Sequence, residues 1–223
     1  MKNSAYTINV TGLSYGEYMP KETFFNLSKE KQERIMQAII NEMGIHAYEH
    51  ININNIIRDA KIPRGSFYQY FEGKDDMYNY FYAYIAQKKF EYWGPLLNFE
   101  MDMPFIDRFY SIYMKGMSFI KDYPELVKVG KKLVASDFLL KNERYHESMN
   151  MAIDLYAKYI QIDQEKGRIR MDIDPKILAQ LLLEMINKLT IDDYMNDQLT
   201  DESIKHQVNM IIDILKKGIT RHV

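Results

Sequence analysis

The 223-residue chain has no cysteine, one tryptophan, six prolines and ten glycines. Without cysteine there is no disulfide framework, no thiol nucleophile and no thiolate zinc or iron–sulfur site. So few prolines and glycines leave little to interrupt helices. No run of about 18 apolar residues occurs, so no membrane span is expected. The start, MKNSAYTINV, has no basic segment followed by an apolar core and so does not read as a signal peptide. A soluble cytoplasmic protein is the resulting expectation.

The chain is 47% hydrophobic and 27% charged, with a formal net charge of −2. Those values exclude wholesale disorder and fit a globular protein of one large domain or a small domain joined to a larger one. Tyrosine (18) and methionine (15) are in excess. Both supply bulky, adaptable apolar surface, and tyrosine adds a polar tip.

Residues 1–27 carry no period and read as turns and loose chain. From Ser28, a candidate cap, the pattern becomes helical: Ile35, Met36, Ile39, Ile40 and Met43 recur on one face. Gly44 then suits a left-handed stop. Asn52 caps a helix of barely two turns, with Ile53, Ile56, Ile57 and Ala60 at helical spacing. Lys61-Ile62-Pro63 breaks it, and a short helix from Arg64 to Tyr70 follows. Gly73 closes that one, and Lys74 opens a long helix to about Trp93. Further helices are expected over 105–121, from Pro124, over 143–164, from Asp174-Pro175 and from Thr200-Asp201-Glu202. The predicted class is all-α, with no strand-like alternation.

Two short helices joined by a three-to-four-residue turn form a helix-turn-helix, whose second helix enters the DNA major groove. Arg64 is suited to a guanine edge or a phosphate, and Gln69 to adenine. Ser66 and Tyr68 can donate to phosphate, and Gly65 permits close backbone approach. Lys74, at the start of the next helix, also suits phosphate. Asn52 and Asn54 at the start of the first short helix complete the candidate DNA-facing set.

The stretch from Ile35 to Tyr80 resembles the DNA-binding domain of the TetR family of bacterial transcriptional regulators. Ile39, Gly44, Ile53, Ile56 and Ala60 stand at matching positions, with Asn52 where the family has a Thr or Ser cap. Gly65-Ser66-Phe67-Tyr68-Gln69-Tyr70-Phe71 and Lys74 follow the family pattern. The segment from Gly167 to Pro175 is similar to the one preceding the eighth helix of many members. Lys61 replaces the usual glycine at the bend and is expected to take positive φ. Pro63 replaces the usual cap.

The resemblance implies three parts: an extension (1–27), a DNA-binding domain (28–74) and a ligand-binding and dimerisation domain (75–223). It also implies a homodimer on a palindromic operator of double-stranded DNA. Charge agrees: residues 29–74 sum to +1 and residues 75–223 to −3, a weakly basic head on an acidic body rather than a non-specific polycation. The last two helices would dimerise through Leu181, Met185, Val208, Ile211, Ile212 and Leu215. In this family the larger domain usually holds an effector. Tyr110, Tyr113, Met117, Phe138, Tyr145, His146, Met149 and Met185 are the candidates to line its pocket, for a hydrophobic or amphipathic small molecule. The alternative for each is ordinary core.

His46 and His50 are four apart but lie around a loop without a third ligand, and Glu143 and His146 have no second copy. No metal site and no cofactor are expected. No nucleophile elbow, phosphate loop or paired carboxylates occur, so an enzyme is not expected. A TetR-fold interaction protein that has lost DNA binding is the rival, opposed by the intact segment from Gly65 to Phe71. Finally, Gly16-Glu17 ahead of Met19 can encode a ribosome-binding sequence, so Met19 is a candidate alternative start.

Overall fold

A computed structural model describes residues 20–134, 141–195 and 201–219. Phe138, Thr200 and the Met19 start lie outside them. The described residues form ten α-helices and no strand: α1 (Glu22–Phe25), α2 (Lys29–Ile45), α3 (Ile53–Asp59), α4 (Arg64–Tyr70), α5 (Lys74–Trp93), α6 (Phe105–Asp122), α7 (Pro124–Val134), α8 (Glu143–Glu165), α9 (Pro175–Met195) and α10 (Asp201–Ile219). Among these residues no helix is long and apolar enough to cross a membrane.

Local chemistry sets most of the helix starts. The Ser28 hydroxyl accepts from the Lys31 N–H at 3.4 Å, and the Asn52 side chain from the Asn54 N–H at 3.0 Å. Asn142 accepts from the Tyr145 N–H at 3.0 Å, and Asp174 from the Lys176 and Ile177 N–H groups at 2.8 and 3.0 Å. Each satisfies an amide that the first turn leaves without an intrahelical partner. Pro63 and Pro104 stand at the cap positions of α4 and α6, and Pro124 and Pro175 at the first positions of α7 and α9.

Two expectations need correction. Gly44 does not end α2. The helix runs on to Ile45, and the extended His46 ends it, its N–H bonded to the Glu42 carbonyl. Gly44 instead lies where α2 crosses α7; a Cβ there would stand 3.4 Å from Lys128 Cβ and 4.0 Å from Val129. Residues 22–25, expected to be loose chain, form α1. Four residues are too short to display a period, but the fully buried Phe24 packs on the rings of Tyr70, Phe71 and Tyr80.

The predicted α2 face is buried throughout: Ile35, Met36, Ile39, Ile40 and Met43 are at most 5% exposed. It meets Ile56, Ile57, Phe67, Phe71, Met77 and Phe81 in one core. That core continues into Phe119 of α6 and into Leu126, Val129 and Leu133 of α7, so the N-terminal helices share a hydrophobic centre with the larger part of the chain. A second core joins Phe105, Ile106, Phe109 and Ile112 of α6 to Tyr156 and Ile160 of α8, Leu178 and Leu182 of α9, and Ile219.

Two buried charges shape the joints of this second core. Arg108, 2% exposed, donates to the carbonyls of Leu96, Asn98 and Met101 and stacks on Tyr159, its guanidinium 4.4 Å from the ring centre. It thereby holds the link between α5 and α6. Asp163 accepts from the Phe105 N–H at 2.6 Å and from Arg168 at 3.1 Å, fixing the start of α6 against the end of α8. Bonds to charged groups are among the stronger ones and offset part of the cost of burying those charges.

Candidate nucleic-acid interface

The turn between α3 and α4 is closed by the Lys61 N–H bonding to the Arg58 carbonyl at 3.1 Å and the Ile62 N–H to the Ile57 carbonyl at 3.1 Å. Lys61 has φ +53°, the left-handed conformation its place at the bend requires. Ile62 is buried and pins the entry to α4.

Alternation around α4 separates its two faces. Phe67 and Tyr70, with Phe71 just beyond the helix, point into the core, while Arg64, Gly65, Tyr68 and Gln69 are exposed and Ser66 is half-buried. Tyr68 is 52% exposed, a large ring that the chain itself leaves largely uncovered. A Cβ on Gly65 would meet nothing within 4 Å, so intramolecular packing does not require glycine there. Arg64 makes no ion pair among the described residues, whereas Arg58 is neutralised by Asp59 at 2.8 Å.

Both ends of the motif are held by groups that the sequence expectation did not include. Glu42, 4% exposed, accepts from the Asn52 N–H at 2.8 Å and from the Asn55 side chain at 3.1 Å, tying the start of α3 to α2. Arg34 donates to the Ala60 carbonyl at 2.9 Å and holds the end of α3. At the end of α4, where helical carbonyls lose their partners, residues 21–23 supply donors. The Lys21 N–H bonds to the Tyr70 carbonyl at 2.8 Å, Lys21 Nζ to that of Tyr68 at 3.1 Å, and the Thr23 hydroxyl to that of Gln69. The Lys21 ammonium also suits the negative end of the helix dipole. The two side-chain contacts span 46 and 47 residues; the only local signal was a phenylalanine beside a lysine and a threonine.

Asn52 is committed to its cap and Asn54 is exposed. Lys74 donates to the Tyr48 carbonyl at 2.8 Å and lies 4.2 Å from the centre of the Tyr48 ring. An ammonium has three donors, so this anchor leaves capacity for a phosphate.

The effector candidates do not converge on one point. Tyr110, Tyr113 and Met117 of α6 gather with Val208 and with half-buried Ile186 and Ile212. Met185 packs at the second core. Tyr145 and Met149 are half-buried and His146 is exposed. A cleft of about 210 Å³ lies elsewhere, between the start of α6, the end of α8 and α10. Two ion pairs line it, Asp163 with Arg168 and Asp107 with Lys216. Among the described residues no group of three potential metal ligands gathers.

Of the dimerisation candidates, Leu181 is 59% exposed, Val208 is 3% exposed, and Met185, Ile211, Ile212 and Leu215 are half-buried. Ile212 and Leu215 pack on the chain's own core. Among the described residues of these helices, Leu181 is joined as an uncovered apolar side chain by Ile177 (62%) of α9 and by Met210 (52%) and Ile214 (65%) of α10.

No family model and no curated protein sequence matches this chain. Solved structures do. A TetR family transcriptional regulator from Chloroflexus aurantiacus is similar with a TM-score of 0.67 and 24% identity, over 92% of this chain and all of that one. FadR from Bacillus subtilis, solved with stearoyl-CoA, gives 0.69 and 18% over 84% and 98% of the two chains. SmeT, the repressor of a Stenotrophomonas maltophilia multidrug efflux pump, gives 0.69 and 16% over 89% and 93%. With the helix-turn-helix built by α3 and α4 and an all-helical body behind it, the chain has the fold of the TetR-family transcriptional regulators.

Proposed function

We propose that this chain is a DNA-binding transcriptional regulator. It acts as a homodimer on a palindromic operator and leaves it when a hydrophobic or amphipathic small molecule enters the larger domain. The observation that carries this is the outer face of α4. Arg64, Gly65, Tyr68 and Gln69 are exposed together, while the opposite face of α4 packs in the core, residues 21–23 cap its end, and Glu42 and Arg34 hold the two ends of the preceding α3. Such a helix offers charged, amide and aromatic groups with a preset orientation, which groove recognition requires. The same intact face speaks against a pure interaction protein.

The head comprises residues 28–74 with α1 capping it, and the body follows from residue 75. Two copies would pair through Ile177, Leu181, Met210 and Ile214, whose exposure a second apolar face would remove. Coupling would pass through α6 and α7, because Phe119, Leu126 and Val129 belong to the same core as the head, and Gly44 lets α2 sit close on α7. A ligand favouring one placement of α6 and α7 would thereby favour one spacing of the two heads.

The test is a gel shift of full-length protein on DNA from upstream of its own gene. A salt-sensitive shift on a palindrome is expected. Absence of any such shift on every nearby palindrome contradicts the proposal.

A further inference from the structure

We propose that the inner face of α5 carries a receptor for an anionic headgroup, formed by Lys89 and Trp93, and that the effector is accordingly an amphipathic acid. This rests on the effector part of the function proposed above. Lys89 and Trp93 lie one turn apart, with the Lys89 ammonium 5.8 Å from the centre of the Trp93 ring. The indole Nε1 of Trp93 is buried and has no hydrogen-bond acceptor among the described residues. Lys89 is half-buried and forms no ion pair with a described residue. Its neighbour Lys88 behaves differently, pairing with Glu91 at 3.7 Å. Burial holds the Lys89 ammonium below its ordinary range, and no charged neighbour opposes that effect.

The surroundings place this pair at the meeting of three helices. The Trp93 ring lies over Gly116 of α6, where a Cβ would stand 3.8 Å from its Cζ2. Tyr82, on the same face of α5 two and three turns earlier, has its phenol raised first by burial and then by the nearby Tyr145 hydroxyl of α8. This face of α5 therefore looks toward both α6 and α8.

A cation and an N–H donor facing the interior without an acceptor are costly, because both have given up water. A carboxylate or phosphate monoester arriving there regains both interactions at once, as a charge-assisted bond from Lys89 and a neutral one from Trp93. A cationic ligand would meet Lys89 as a like charge. The indole packs against the second core, so the anion should be carried on hydrocarbon rather than on a sugar or a peptide.

Trp93 is the only tryptophan in the chain, so its emission reports on this site alone. Full-length protein would be titrated, below micelle concentrations, with dodecanoate, dodecyl phosphate, dodecanol and dodecyltrimethylammonium. At least one acid should change the emission saturably with Kd about tenfold or more below that of the alcohol, and the ammonium should bind worst. Whether the carboxylate or the phosphate binds tighter identifies the headgroup. Lys89→Met should bring acid and alcohol within about threefold of each other, with circular dichroism unchanged, and Lys89→Arg should keep the preference. Equal affinity of acid and alcohol for the wild-type protein overturns the inference even if Lys89→Met fails to fold; so does an unchanged ratio in folded Lys89→Met. Operator release, measured in parallel, separates the two proposals. Acid binding at Trp93 without release refutes the effector role and leaves the receptor standing. Release by acid and alcohol alike refutes the receptor and leaves the effector role standing.

Discussion

Replacing Glu42 tests whether the helix-turn-helix is held by a buried carboxylate. Glu42 is 4% exposed and accepts from the Asn52 N–H at 2.8 Å and from Asn55 Nδ2 at 3.1 Å, with His46 Nε2 3.8 Å away. In Glu42→Leu both donors lose their acceptor. Bonds to a charged group contribute about 1.5–3 kcal/mol each, and removing the buried charge itself returns part of that. The net cost is about 3 kcal/mol. In Glu42→Gln one oxygen still accepts from Asn52, and rotation of the Asn55 amide restores the second bond, so the cost is about 1 kcal/mol. For a chain of this size the leucine variant should melt about 6–12 °C lower. Urea unfolding at one fixed protein concentration, followed by circular dichroism, measures the difference, and a gel shift measures DNA affinity. The expected order is wild type, then Gln, then Leu in both assays. Equal stability of the Leu and Gln variants would refute the bracket.

Phe24→Ala should cost about 3–5 kcal/mol by opening a cavity under α4, and should weaken DNA binding although Phe24 lies in the core and not on the outer face of α4; urea unfolding and gel shifts check it. Leu181→Glu combined with Ile214→Glu should give a helical monomer by light scattering, and a dimer of unchanged strength would show that this face is not the interface. The Tyr80 phenol, half-buried beside Phe24, is pushed by desolvation from 10.0 up to about 12. Because the folded state holds this proton more tightly, its contribution to stability is complete below pH 10 and is lost as pH rises to about 12. Stability profiles of wild type and Tyr80→Phe should therefore diverge over that window, and parallel profiles would contradict the assignment.

Most helix starts were legible in the sequence because they are written in adjacent residues. Ser28, Asn52, Asp174 and the prolines act within three positions, and the buried face of α2 follows from spacing alone. The bend at Lys61 was legible for the same reason, since a turn of this length needs one left-handed residue wherever glycine is missing. What escaped depends on distant partners. Nothing local marks Glu42 as an acceptor for Asn52, Lys21 as a cap for α4, or Asp163 as the anchor of α6. Gly44 looked like a stop because glycine often is one, but its role is the close crossing with Lys128 and Val129. The apolar stripe on α10 was visible, yet the sequence cannot say which of two apolar sides meets the chain's own core. Val208, Ile212 and Leu215 do, and Met210 and Ile214 do not.

Whether the outer face of α4 reads DNA is decided by footprinting of full-length protein on its own upstream region. Two protected half-sites are expected about 34–36 Å apart, centre to centre, or a multiple of that. Protection should be lost in Tyr68→Ala and Arg64→Ala while helicity and oligomeric state stay as in the wild type. Protection that survives both substitutions, or no protected site at any salt concentration, would contradict DNA reading by this face.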